Sequence, residues 1–272
     1  MENNQIPQWK SFLKKTSGGQ VIRIFRPKEI HFLIENADIR DESSFTGSRD
    51  ISNLQESGLT NEDVKAWFGF LLYTGTRFAE ACLIHRNPDL YQGNGVLEVP
   101  FYRGKEKRTV KTRNIFLSYK GREVMRPFFE AKPIPSDNMK EITQTLISLT
   151  TIMHKAGERI NLPSQTFLLY RKKWLRNPDG TFRKDEKGKK MYEEPPPEKY
   201  TTNGCSVRSF RKTWESWLYL VYATDMRTES KVMLSQGHTK ETALGHYLSF
   251  ANFDEEDIAE IKKEIEGFGI IG

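Results

Sequence analysis

The chain has 272 residues, 37% hydrophobic and 29% charged, with 42 Lys and Arg against 36 Asp and Glu. That balance excludes a disordered polyelectrolyte and is enough for a core that folds without disulfide or metal staples. The net charge of +6 and pI of about 9.1 suit a polyanionic partner, nucleic acid or an acidic membrane surface, without choosing between them. No run reaches the roughly eighteen apolar residues of a membrane span. The opening MENNQIPQWK lacks the apolar stretch of a secretory signal, so an intracellular location is expected. Cys82 and Cys205 are too few for a zinc site and read as two buried thiols.

In chain order, residues 1–21 are polar, contain Gly18-Gly19, and read as an N-terminal arm or tail. Arg26-Pro27-Lys28-Glu29 opens a helix with Ile30, Leu33 and Ile34 on one face. Residues 38–60 are rich in Asp, Ser, Asn and Gly, which predicts a loop or inserted segment. Thr60-Asn61-Glu62-Asp63 starts a helix with acids in its first turn, and its apolar run Val64–Tyr73 should be buried. Thr74-Gly75-Thr76 ends it, and another helix begins at Arg77. Val96–Tyr102 and Arg113–Leu117 read as the strands of a hairpin whose tip, Arg103–Lys111, is basic.

Helices are expected at about 119–130 and 138–160. Residues 171–200 form an insertion, either a small basic β-excursion or a solvated loop, with a strong turn at Asn177-Pro178-Asp179-Gly180. Val207–Ala223 holds Phe210, Trp214, Trp217, Leu218 and Val221 at helical spacing. A turn near Gly237 and a helix at Lys240–Ser249 follow. Asp254–Phe268 reads as an amphipathic helix with one apolar stripe. No internal repeat is evident.

There is no GxxxxGK[ST], HExxH, GxSxG or Cys/His cluster with metal spacing. An enzyme built from this chain is expected to need no tightly bound metal, nucleotide or other cofactor. Three basic pieces remain. In Thr74-Gly75-Thr76-Arg77-Phe78-Ala79-Glu80 an Arg follows a Gly turn at a helix start, where free N–H groups favour anions. Glu80 lies on the same helical face and either holds Arg77 in place or forms an ordinary surface ion pair with it. Arg208-Ser209-Phe210-Arg211-Lys212-Thr213-Trp214 puts Arg208 and Arg211 on one face, as a phosphate grip or as a solvated stripe. Gln236-Gly237-His238 is followed by Tyr247, nine residues after the His.

Taken together, TGxRxxE, a basic hairpin, RxxR, Gly-His and a Tyr nine residues later resemble the catalytic domain of the tyrosine recombinase (integrase) family. The resemblance runs from about Phe25 to the C-terminus. The segment Ser235–Leu248 and the RGxKR-like stretch Arg103–Arg108 look most like integrases of archaeal viruses and plasmids. The resemblance implies a mainly α-helical α+β fold with a small antiparallel β-hairpin or sheet, over residues 22–272. It also implies site-specific DNA recombination, in which strands are cut and rejoined through a 3′-phosphotyrosine. Arg77 and Arg211 match the two catalytic arginines, His238 the position between the second Arg and the nucleophile, and Tyr247 the nucleophile. Lys107 best matches the hairpin Lys that serves as general acid, with Lys105 and Lys111 as rivals. Lys105, Arg108, Lys111 and Lys212 are expected to contact DNA.

One position departs from the pattern. Where the family often has His, three residues before the second Arg, this chain has Arg208, which binds a phosphate oxygen but cannot act as a base near neutral pH. The partner implied is double-stranded DNA, bound by a homotetramer that is monomeric or weakly associated in solution. The family's separate N-terminal domain is not recognisable ahead of the catalytic region, which predicts weak, salt-sensitive binding. Rival expectations are a type IB topoisomerase, a telomere resolvase, or a catalytically silent DNA-binding protein of the same fold.

Overall fold

The computed structural model describes residues 9–15, 21–40, 51–100, 112–169, 173–222, 232–233, 235–237 and 253–270. Its described part is mainly helical, with four two-stranded antiparallel sheets, which agrees with an α+β chain dominated by helices. No described helix is long and apolar enough to cross a membrane.

Two helices form the centre. Helix α3 (Asn61–Thr74) starts where the sequence predicts, with the Thr60 hydroxyl accepting from the Asp63 N–H and the Asp63 carboxylate accepting from the Thr60 N–H. From Phe70 to Thr74 every residue is buried, so its last turns are enclosed on all sides. Helix α8 (Val207–Tyr222) packs against it. Phe68 meets Phe210 at 5.0 Å between ring centroids, and Tyr73 meets Trp214 edge-on at 5.8 Å. Aromatic pairs of this geometry add about 0.5–1.5 kcal/mol beyond the area they bury.

Around this pair lie α1 (Pro27–Glu35), α4 (Phe78–Arg86), α5 (Tyr119–Glu123), α6 (Met125–Glu130) and the long α7 (Met139–Arg159). The single helix expected at 119–130 is two short ones that meet at Val124. Helix α2 (Ser52–Glu56) lies inside the segment expected to be a loop, anchored by the fully buried Leu54. Both cysteines are buried, and burial pushes each thiol up to about 12.

The described part of the segment expected to be an N-terminal arm or tail contains a strand. Strand β1 (Phe12–Lys15) pairs with β2 (Val21–Ile24). The hairpin is stitched to the chain ahead of α8: the Arg23 N–H donates to Gly204 O at 3.0 Å, and its Nε donates to Asn203 O at 2.7 Å. The last helix, α9 (Glu255–Glu264), packs on α1 and α8. Its Asp257 pairs with the buried Arg26, and its Glu264 accepts from the Tyr73 hydroxyl at 2.5 Å and Lys120 Nζ at 2.8 Å.

Strands β3 (Val96–Pro100) and β4 (Thr112–Phe116) form the expected hairpin in the register Val99↔Arg113. The insertion is β-structure. Strand β5 (Gln165–Leu169) pairs with β8 (Glu198–Thr202), and β6 (Lys173–Trp174) pairs with β7 (Tyr192–Glu193). Beyond β6 and β7 the chain makes a pattern that repeats every eight residues, contrary to the expectation of no repeats. Leu175, Arg183 and Met191 close a ring of backbone hydrogen bonds: Leu175 N to Met191 O, Arg183 N to Leu175 O, and Met191 N to Arg183 O, at 3.1, 2.9 and 2.9 Å. Two small hairpins branch from that ring.

Candidate active site

The site begins at the end of α3. Gly75 closes the helix in the left-handed region, φ 59°, with its N–H bonded to Leu71 O. A side chain would not fit there, because a Cβ would lie 2.7 Å from Trp214 Cδ1 and 2.8 Å from Gln236 Oε1. Thr74 and Thr76 join hydroxyls at 2.9 Å across the turn. The chain can then reverse into α4 within two residues and leave Arg77 at the N-cap, its side chain 42% exposed.

Glu80, one turn into α4, is fully buried. One of its oxygens accepts from Arg77 Nη1 at 2.9 Å. The other accepts from the Arg77 backbone N–H at 2.8 Å and from Arg113 Nη2 at 2.6 Å. Of the two readings of this pair, the geometry favours the one in which a buried Glu80 holds Arg77 in place. Burial pushes the Glu80 carboxyl up, but Arg113, Arg77 and Arg211 hold it below its usual value. Arg113 enters from β4 and is itself buried. Burial lowers its guanidinium to about 10, so it stays charged near neutral pH.

Arg211 approaches from α8. Its guanidinium donates to Gly75 O, 136 positions away in the chain, and to Gln236 O at 2.6 Å. Its Nε contacts Glu215 Oε1 at 2.7 Å, and the other Glu215 oxygen accepts from Lys212 Nζ at 2.8 Å. Glu215 is fully buried. Two buried acids thus sit among four cations, Arg77, Arg113, Arg211 and Lys212. The surplus is positive and lies at the start of a helix, an arrangement that attracts an anion.

The segment leading to His238 is drawn to the same place. Arg113 Nη1 donates to Ser235 O and Arg211 to Gln236 O. Gly237 turns with φ 66°. Both ends of the buried Gln236 amide lack a hydrogen-bond partner among the described residues, a costly arrangement for polar atoms shut away from water.

The structure brings Arg77 and Arg211 together. Arg208 is exposed in the first turn of α8, and no described hydrogen bond ties it to the cluster. Lys212, expected to touch DNA, directs its ammonium to Glu215. His238, Tyr247, Lys105, Lys107, Arg108 and Lys111 lie outside the described residues, as does the helix expected at 240–249. Tyr73, the described tyrosine at the end of α3, is unsuited to attack: burial and Glu264 raise its pKa far above normal.

The sequence reading missed Arg113 and Glu215. A signal existed for each. Alternation in β4 puts Arg113 on the inward face with Ile115, and a charge on an apolar face requires a buried partner. Glu215 lies between Trp214 and Trp217, three and four residues after Lys212 and Arg211. Comparison of the chain with known protein families, curated proteins and solved structures gives no match.

Proposed function

We propose that this protein is a DNA strand-transfer enzyme of the tyrosine recombinase kind, with Tyr247 as nucleophile and the recombinase catalytic fold. The observation that carries the reading is the convergence of Arg77 and Arg211 on one turn, each backed by a buried carboxylate. Fixed forks of this kind suit the non-bridging oxygens of a phosphodiester, where charge accumulates as the phosphorus becomes five-coordinate. Loss of one such donor typically removes about 3–4 kcal/mol of transition-state stabilisation. Glu80 and Glu215 act as positioning residues: they hold the guanidinium planes so that little reorganisation accompanies the reaction.

In the proposed reaction the Tyr247 oxygen attacks phosphorus and the bond to the 5′-oxygen breaks. The phenol gives its proton to solvent water, helped by the cationic surroundings, and the 5′-oxygen gains one from a hairpin lysine, Lys107 in preference to Lys105 or Lys111. His238 adds a donor to the phosphate. The phosphotyrosine conserves the bond energy, and attack by a 5′-hydroxyl reverses the step. Joining to a different strand gives recombination. The substrate is duplex DNA, and the working form a tetramer on it.

The test is a nicked suicide duplex, from which the 5′-hydroxyl fragment escapes after cleavage. The wild-type chain should form an adduct that survives denaturation, and Tyr247→Phe should form none. An adduct that persists in Tyr247→Phe removes the nucleophile assignment.

A further inference from the structure

The ribbon formed by residues 173–193 has no part in the cluster around Glu80. Among the described residues from 163 to 201 none is buried, and only Phe167, Leu175, Phe182 and Pro195 are partly covered. It is nevertheless a defined object. The ring through Leu175, Arg183 and Met191 fixes where its two hairpins branch. Each hairpin is a three-residue loop closed in the same way. Asn177 N donates to Thr181 O and Asp185 N to Lys189 O, both at 2.8 Å. Gly180 and Gly188 take the left-handed conformation, φ 82° and 74°. Asp179 and Asp185 accept from backbone N–H groups within their own loops.

The ribbon holds much of the molecule's positive charge. From residue 173 to 193 seven cations stand against four acids, so twenty-one residues supply a surplus of three where the whole chain has six. Its aromatic side chains are engaged with one another and with cations. Trp174 meets Phe182 and Tyr192 edge-on, and Arg176 and Lys190 lie over the Phe182 ring at 4.5 and 4.0 Å. The Phe182 ring is covered by its cations, while Trp174 and Tyr192 stay exposed, so the choice of partner rests on charge rather than on stacking surface. The exposed cations Arg183, Lys184, Lys187 and Lys189 occur on both strands of the second hairpin and in its loop.

We infer that this ribbon is a second DNA contact, which grips the phosphate backbone of a duplex outside the cleavage site. The duplex as partner rests on the function proposed above. Charge complementarity carries the choice: a double helix presents about one phosphate charge per 1.7 Å, and grip by lysine and arginine needs no particular base.

The experiment uses the full chain and a 40-base-pair duplex of arbitrary sequence. The combined variant Arg183→Ala, Lys184→Ala, Lys187→Ala, Lys189→Ala removes the cations and leaves the loop-closing Asp and Gly residues in place. The slope of log affinity against log salt should fall by about 3 to 4, since each lost phosphate contact removes about 0.9. The charge reversal Lys187→Glu with Lys189→Glu changes the charge by the same four units and should also weaken binding. Circular dichroism of both variants should match the wild type. An unchanged slope in both overturns the proposal and leaves the ribbon's charge to another partner, such as an acidic protein. The suicide-substrate assay separates the two readings. A reduced slope in a chain that forms no adduct keeps the ribbon contact and removes the cleavage function. An adduct with an unchanged slope does the reverse.

Discussion

The cluster at Gly75 and the ribbon at 173–193 are both basic, yet they are held by opposite means. In the cluster, side chains carry the structure: two fully buried carboxylates fix four cations. In the ribbon, backbone hydrogen bonds and glycine turns carry the structure, and the cations ride on its surface. The difference teaches how rigidity is assigned. On the proposed function, a site that holds a reacting phosphate within a fraction of an ångström would draw on the low-dielectric interior, where a charge pair is strong. The proposed backbone-gripping ribbon would tolerate loose side chains, because a duplex is a repeating line of charge.

The contrast is sharpest in stability. Glu80→Ala strands Arg113 as a buried charge without its carboxylate, and removing one partner of such a pair costs about 3–5 kcal/mol. Urea denaturation should show this as a large drop in midpoint. A change under about 1 kcal/mol would mean that water reaches Arg113, and the cluster would then resemble the ribbon.

An intermediate effect is expected at Glu264. Burial pushes its carboxyl up, but bonds from His31, Lys120 and Tyr73 more than offset this and hold it at about 2, against an ordinary value of 4.5. The folded pKa is depressed, so the contribution is complete above about pH 4.5 and is lost as pH falls toward 2. Melting temperatures across that window should fall more steeply for the wild type than for Glu264→Gln. Parallel profiles would show that another carboxylate governs acid sensitivity.

The smallest effect belongs to the ribbon. Lys187→Ala and Lys189→Ala should each change unfolding free energy by no more than about 0.5 kcal/mol, as for surface substitutions generally. A loss comparable to that of Glu80→Ala would erase the distinction between the two regions.

Much of the frame around the site is legible in the sequence because it depends on local rules. Thr60 with Asp63 marks the start of α3, Gly75 its end, and the spacing of Phe210, Trp214 and Trp217 the buried face of α8. Arg77 beside Glu80 is legible as a pair, but the burial of Glu80 is not, because it is decided by β4 and α8, which arrive from far along the chain. Arg113 sits between Thr112 and Asn114 and looks like a surface residue until the strand's inward face is known. The eight-residue repeat escaped notice because it is written in backbone hydrogen bonds. In the sequence it is marked by Trp174 and Phe182, Arg176 and Lys184, Asn177 and Asp185, and Gly180 and Gly188, each pair eight residues apart. The N-terminal strand escaped because four residues are too few for a periodic signal, and its anchor is Arg23 on the partner strand.

One oxygen of Glu80 has a mechanical consequence. It accepts both the backbone N–H of Arg77, which begins α4, and the guanidinium of Arg113, the second residue of β4. Neither element can swing without breaking a buried hydrogen bond to the other. A force applied to β4 is therefore felt at the first turn of α4, with a single carboxylate oxygen as the pin that joins them.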